Sequence, residues 1–142
     1  MDTVSIPEIV VTPLRVIETD GGNVLHGLKR GESQYNGFAE AYFSWINPGI
    51  IKAWKRHNQM TMNLVVPVGN VRFAFTVGNE EFLCETIGED SYQRLTIPPG
   101  IWFGFQNMSE TPSLVLNIAD MEHDPLEVDR RDIAAFGFDW PG

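Results

Sequence analysis

The chain has 142 residues, 43% hydrophobic and 20% charged, a composition that predicts one globular domain over 1–142 and lacks the signature of disorder. Ten Lys and Arg against nineteen Asp and Glu leave a net charge of −9, which disfavours nucleic acid or an anionic membrane as partner and requires a local basic cluster for any anionic ligand. The single cysteine, Cys84, excludes an internal disulfide, and with no signal-like stretch behind Met1 and no apolar run long enough for a bilayer, the expected compartment is the cytoplasm.

Short β-branched and aromatic runs bounded by Gly, Pro, Asn and Asp recur about every ten residues, as in an all-β sandwich or barrel. Strands are predicted over 9–17, 23–29, 37–46, 50–57, 61–68, 70–77, 80–87, 91–97, 101–106 and 113–119. The aromatic segment GFAEAYFSWINPG at 37–49 leads into GIIKAWKRHNQM at 49–60, where three of the ten basic residues fall within five positions. Extended from 50 to 57, that strand would set Ala53, Lys55 and His57 on one face and Lys52, Trp54 and Arg56 on the other.

In NVRFAFTV, Val71, Phe73, Phe75 and Val77 alternate with Arg72, Ala74 and Thr76, giving one core face and one more polar face. Cys84 sits in the acidic stretch EEFLCETIGED without a neighbouring cation in sequence, so a reactive thiolate is not expected there. In SLVLNIA, Leu114, Leu116 and Ile118 share one face and Val115, Asn117 and Ala119 the other. Beyond residue 120 alternation ends; Asp124, Pro125 and Glu127 have the pattern of an N-cap, first-turn proline and capping-box partner, which predicts a short helix in an otherwise irregular tail.

Two stretches resemble the motif pair of the cupin superfamily. The first motif, a glycine, five residues, an HXH pair, a glutamate and a further glycine, has counterparts in Gly49, Lys55, His57, Met62 and Gly69. The second is matched by Pro98, Pro99, Gly100, Phe103 and Asn107. The resemblance implies a jelly-roll β-barrel, the double-stranded β-helix. Of the four cupin metal positions only His57 keeps a ligand type, too few for a transition-metal site, so no metal and no other cofactor is expected.

Over roughly residues 10 to 141 the chain resembles more narrowly the dTDP-4-dehydrorhamnose 3,5-epimerase family, a metal-free cupin branch acting on nucleotide-linked 4-keto sugars. The counterparts of its motifs are KAWK at 52–55, MNLVVPVG at 62–69, IPPGIWFGF at 97–105, SLVLNIADM at 113–121 and FDWP at 138–141. The family's histidine base falls on Lys55, its basic partner on Lys52, its electrophilic lysine on Met62, its tyrosine acid on Met121 and a further histidine on Phe103. Met62 cannot stabilise an enolate and Met121 cannot donate a proton, so the family's mechanism needs replacement residues. In cupins the HXH face looks into the barrel, which makes Lys55 and His57 the candidate acid/base pair: either a desolvated Lys55 is the base, or His57 is and Lys55 stabilises the enolate.

The ligand implied is a nucleotide-linked sugar, dTDP-linked in the family, used in cell-surface carbohydrate biosynthesis. Lys52 and Arg56 are candidates for its diphosphate and Trp54 and Trp102 for the base; Asn63, Gln106 and Asn117 are candidates for sugar hydroxyls. His26 falls near the family's N-terminal ligand-contacting segment, whereas His123 in MEHDP reads as a turn residue. The resemblance also implies a homodimer built through the N-terminal strands. Three readings follow: an epimerase or isomerase using Lys55 and His57, a non-catalytic cupin that binds a sugar nucleotide or modulates a partner enzyme, and a sugar 3,4-ketoisomerase.

Overall fold

The computed structural model describes residues 9–140. They form twelve strands: β1 (Val10–Pro13), β2 (Val16–Ile17), β3 (Val24–Leu25), β4 (Glu40–Ile46), β5 (Ile51–His57), β6 (Met62–Val68), β7 (Asn70–Thr76), β8 (Leu83–Gly88), β9 (Gln93–Ile97), β10 (Trp102–Asn107), β11 (Ser113–Ala119) and β12 (Val128–Arg130). One sheet runs β1-β9-β6-β11-β4 and the other β12-β5-β10-β7-β8, all antiparallel, with β2 and β3 as a separate ribbon. This is the all-β jelly roll that the strand spacing and the cupin motifs predict. No element among the described residues is a helix, so none is long and apolar enough to cross a membrane.

Alternation decides what fills the space between the sheets. Val71, Phe73 and Phe75 from β7 meet Phe103 from β10, and they pack with Met62, Leu64 and Val66 from β6 and Val115 and Ala119 from β11. The inner residues of SLVLNIA are therefore the small ones and Asn117, while Leu114, Leu116 and Ile118 face outward and stay half-buried. The outer face of NVRFAFTV is also covered. Ala74 lies with Trp54 and Trp102 under Phe136, Phe138 and Trp140, because the chain after β12 folds back across the second sheet.

Two predicted elements differ. The 9–17 run breaks at Leu14–Arg15 into β1 and β2. The helix predicted at Asp124 is a turn: the Asp124 carbonyl accepts the Glu127 N–H at 3.1 Å and its carboxylate accepts the Leu126 N–H at 3.0 Å. A capping box needs Glu127 to reach back to the cap, but its carboxylate is drawn inward to His57 and to the backbone of 58–60, so the chain leaves the turn extended as β12.

The strand that carries the basic cluster is bulged. Trp102 pairs with Arg56 and Phe103 with Lys55, but Gly104 pairs with Ala53, so Trp54 is an extra residue. Gly104 permits this close approach: a Cβ there would sit 2.6 Å from the Ala53 Cβ and 3.0 Å from the Trp140 ring.

Candidate functional site

The bulge redistributes the side chains of β5. Lys55 shares the inner face with its register partner Phe103, and Lys52, pairing with Phe105, joins it, whereas simple alternation assigns Lys52 to the opposite face. On the far side β12 pairs Arg130 with Lys55. Lys52, Lys55, Phe103, Phe105 and Arg130 thus line one cavity of about 350 Å³.

Four cations line it, Lys52, Lys55, Arg130 and Arg131, and among the described residues none of them is ion-paired with a carboxylate. Burial first, then the charges of Arg130 and Lys52, hold the Lys55 ammonium below the usual lysine range. An amine so placed is a usable base, and the surrounding field favours an anionic ligand or a developing enolate.

His57 lies further along the same inner face, stacked on Phe103 with ring centroids 6.1 Å apart, but it does not line the cavity. Its Nδ1 is joined to Oε1 of buried Glu127. Oε2 of Glu127 accepts the backbone N–H groups of Asn58, Gln59 and Met60 at 3.1, 3.0 and 3.2 Å. Burial alone would raise this carboxyl; the bonds from His57, Gln59 and Met60 outweigh it and hold the group below its ordinary value. His57 is therefore oriented by a buried carboxylate, a partner that sequence reading missed.

The other candidates are dispersed. Trp54 borders the cavity, but its ring is buried among Phe82, Phe136, Phe138 and Trp140 on the outer face, with Nε1 donating to the Ile133 carbonyl at 3.1 Å. Trp102 is 3% exposed and its ring lies under two guanidinium groups, Arg56 at 4.7 Å and Arg131 at 5.1 Å. No ring face is left for a nucleobase. Arg56 is bound to Asp129 at 2.7 Å, outside the cavity. Gln106 shares this outer face, in register with Arg72 and Ile51.

Asn63 lies on the outer side of the first sheet, where its Oδ1 accepts from Thr96 Oγ1 at 2.6 Å and its Nδ2 donates to the Gln34 carbonyl at 3.2 Å. His26 borders a separate hollow of about 330 Å³ beside β1, with Arg15, Lys29 and Glu32. Asn117 does face inward, and its Nδ2 donates to Tyr42 Oη at 3.0 Å. Cys84 acquires a cation that sequence proximity could not reveal, Arg72 on the neighbouring strand at 3.4 Å from Sγ.

Arg130 and Glu127 escaped sequence reading for one reason. Glu127 precedes, and Arg130 ends, a three-residue strand in an acidic tail, too short for alternation to register. The available signal was chemical: EVDRR puts two arginines in a segment otherwise dominated by carboxylates. Among the described residues no three His, Cys, Asp or Glu side chains group as a metal site.

No protein-family model matches the chain. Among curated proteins it is 26% identical over 137 residues to the probable low-salt glycan biosynthesis epimerase Agl13 of Haloferax volcanii, covering 91% of this chain and 88% of the relative. The crystal structure of dTDP-4-dehydrorhamnose 3,5-epimerase from Sulfolobus tokodaii shares the fold, with a TM-score of 0.80 at 18% identity over 99% of this chain and 84% of that one. The crystal structure of a dTDP sugar isomerase from Desulfovibrio desulfuricans G20 superposes with a TM-score of 0.89 at 37% identity, covering 94% of this chain and 90% of its own. With that identity over nearly the full length of both chains, and with the jelly-roll fold in place, the chain belongs to the same family as that dTDP sugar isomerase.

Proposed function

We propose that this protein epimerises or isomerises a dTDP-linked keto-deoxysugar during assembly of a surface glycan, with Lys55 as its base. The observation that carries the reading is the Lys55 amine, half-buried in an aromatic-walled cavity beside three further cations and without a carboxylate partner among the described residues. Moving a proton at the carbon next to a ketone needs a neutral base and a positive field for the enolate oxygen. Lys52 and Arg130 supply that field, and it also suits the diphosphate of the ligand.

His57 takes the supporting position in this scheme. Held by Glu127 and stacked on Phe103, it fixes the wall against which Lys55 stands. The relatives act in the same chemical territory: one is a dTDP sugar isomerase and another a glycan biosynthesis epimerase. The ligand would enter this chain without a resident metal or organic cofactor, since enolisation requires neither.

The partner expected is a second copy of the chain. The outer face of β4 and β11 carries Phe43 and Trp45, 64% and 60% exposed, beside Leu114, Leu116 and Ile118, with Phe38 also bare nearby in sequence. A contiguous apolar face of this kind marks an association surface, and the self-complementary packing of a twofold dimer would cover it.

Proton NMR of dTDP-4-keto-6-deoxyglucose in heavy water tests the reading. The protein should wash deuterium into the position next to the ketone, and Lys55→Ala should slow this at least about 100-fold, the contribution expected of a positioned base. Binding of the sugar nucleotide without any exchange would instead support the non-catalytic cupin.

A further inference from the structure

Lys52 reaches the cavity only because β5 is not a straight strand. With Lys55 paired to Phe103, unbroken alternation would carry Ala53 inward beside Phe105 and set Lys52 outward beside Gln106, whose other register partner is Arg72. The observed register skips Trp54 instead, pairing Ala53 with Gly104 and Lys52 with Phe105. A bulge re-aims the side chains beyond it, and the one re-aimed here is a cation.

The extra residue of a bulge has no partner on the neighbouring strand and must be held from elsewhere. Trp54 is held by the segment after β12. Its backbone N–H donates to the Arg131 carbonyl at 3.0 Å, its carbonyl accepts the Arg131 N–H at 3.1 Å, and its indole Nε1 donates to the Ile133 carbonyl at 3.1 Å. The rings of Phe136, Trp140 and Phe138 stand around the indole at centroid distances of 5.3, 5.4 and 5.9 Å. Trp54 is left 1% exposed, a buried anchor on the face of the sheet opposite the cavity cations. Trp140 also lies over Gly104, where a Cβ would meet both its ring and Ala53.

We propose that Trp54 is a positioning residue, clamped by the C-terminal segment 131–140, and that this clamp is what turns Lys52 into the cavity. Lys52 finds nothing there to draw it in. Its neighbours are Lys55, Arg130, Arg131 and two phenylalanines, so like charge and an apolar wall both oppose its inward position. The force that keeps it there comes from outside the cavity, and burial of an indole among aromatic rings is the largest that the strand offers.

The consequence for catalysis rests on the reading of Lys55 as base. An inward Lys52 favours the neutral Lys55 amine and adds positive field for an enolate or a diphosphate. The charged groups facing Lys55 are Lys52 from its own strand, Arg130 from β12 and Arg131 just beyond it. β10 presents Phe103 and Phe105, and His57, two residues along, is joined to Glu127. The aromatic tail thus tunes the cavity from the other side of the sheet.

The test follows the Lys55 side chain by carbon NMR through a pH titration of the ligand-free full chain. Lys52→Gln should raise the Lys55 midpoint by at least about half a pH unit, since a like charge is gone. Trp54→Ala should raise it as far with Lys52 still present, whereas Trp54→Phe, which keeps a ring in the clamp, should stay near the parent. The double variant Lys52→Gln with Trp54→Ala should not exceed Lys52→Gln alone; loosened packing that merely hydrates Lys55 would make the two effects add. Additive shifts, or an unmoved midpoint in Trp54→Ala, overturn the proposal. If circular dichroism shows Trp54→Ala unfolded, Phe138→Ala with Trp140→Ala strips the clamp from its other side and is judged by the same two outcomes. No substrate enters the titration, so a protein without turnover would sink the functional proposal while the clamp is still decided by these midpoints.

Discussion

At the scale of single residues, the central fact is an amine whose surroundings oppose its charge. Phe103 and Phe105 remove water from Lys55, and Lys52 and Arg130 add like charge. Each favours the neutral amine, so the fraction of Lys55 able to accept a proton rises at a lower pH than for a solvated lysine. Deuterium wash-in should therefore increase with pH along a limb whose midpoint lies below the usual lysine range. Replacing Arg130 by Gln removes one of the two repelling charges and should move that midpoint upward; an unchanged midpoint would mean that Lys55 is not the group titrating. The inward position of Lys55 was legible only through the resemblance to the cupin HXH pair, since alternation by itself groups Lys55 with His57 without saying which face is inner. The inward position of Lys52 was not, because alternation assumes an unbroken strand and Trp54 is an inserted residue. The tryptophans misled for a related reason. A Trp near a turn looks like a stacking platform until its neighbours are known, and here Arg56, Arg131 and the C-terminal aromatics cover both Trp54 and Trp102.

At the scale of elements, β12 is short but joins several parts of the site. It carries Arg130 into the cavity and Asp129 to Arg56, and just before it Glu127 fastens both His57 and the backbone of 58–60. The eight strands β4 to β11 were recoverable from β-branched runs and turn residues because each has at least five residues and so spans several alternations. β12 has three residues and gains its position from the Glu127 anchor, a tertiary interaction that local pattern cannot encode. The anchor has a measurable signature. Glu127→Ala leaves three N–H groups and a histidine unpaired in a buried place, which should cost about 3 kcal/mol or more in chemical denaturation. The pH sign follows from the lowered carboxyl: its contribution is fully present above the unfolded value, near pH 4.5, and is lost as pH falls through the still lower folded value. The parent should thus lose stability more steeply below about pH 4.5 than Glu127→Gln, which no longer titrates. Parallel acid profiles would show that this carboxylate is not the anchor described.

At the scale of the whole molecule, the sandwich buries its two sheets unequally. The outer side of the second sheet is roofed by its own C-terminal segment, with Phe136, Phe138 and Trp140 laid over Trp54 and Ala74. Among the described residues the outer side of β4 and β11 has no such roof, although it displays Ala41, Phe43 and Trp45 beside Leu114, Leu116 and Ile118. The aromatic richness of GFAEAYFSWINPG was visible in sequence, but its alternation did not say which face would be covered; the exposure of Phe43 and Trp45 does. Burying large apolar side chains of this kind contributes about 1.5–3 kcal/mol each before the cost of association is subtracted, which is enough for a pair of symmetry-related patches to hold a dimer. A protein of net charge −9 resists indiscriminate aggregation while still allowing a specific apolar contact to close. Multi-angle light scattering should accordingly give twice the chain mass, and Phe43→Asp with Trp45→Asp should give the monomer with its fold intact by circular dichroism. A double variant that still weighs as a dimer would show that this patch is not the association surface.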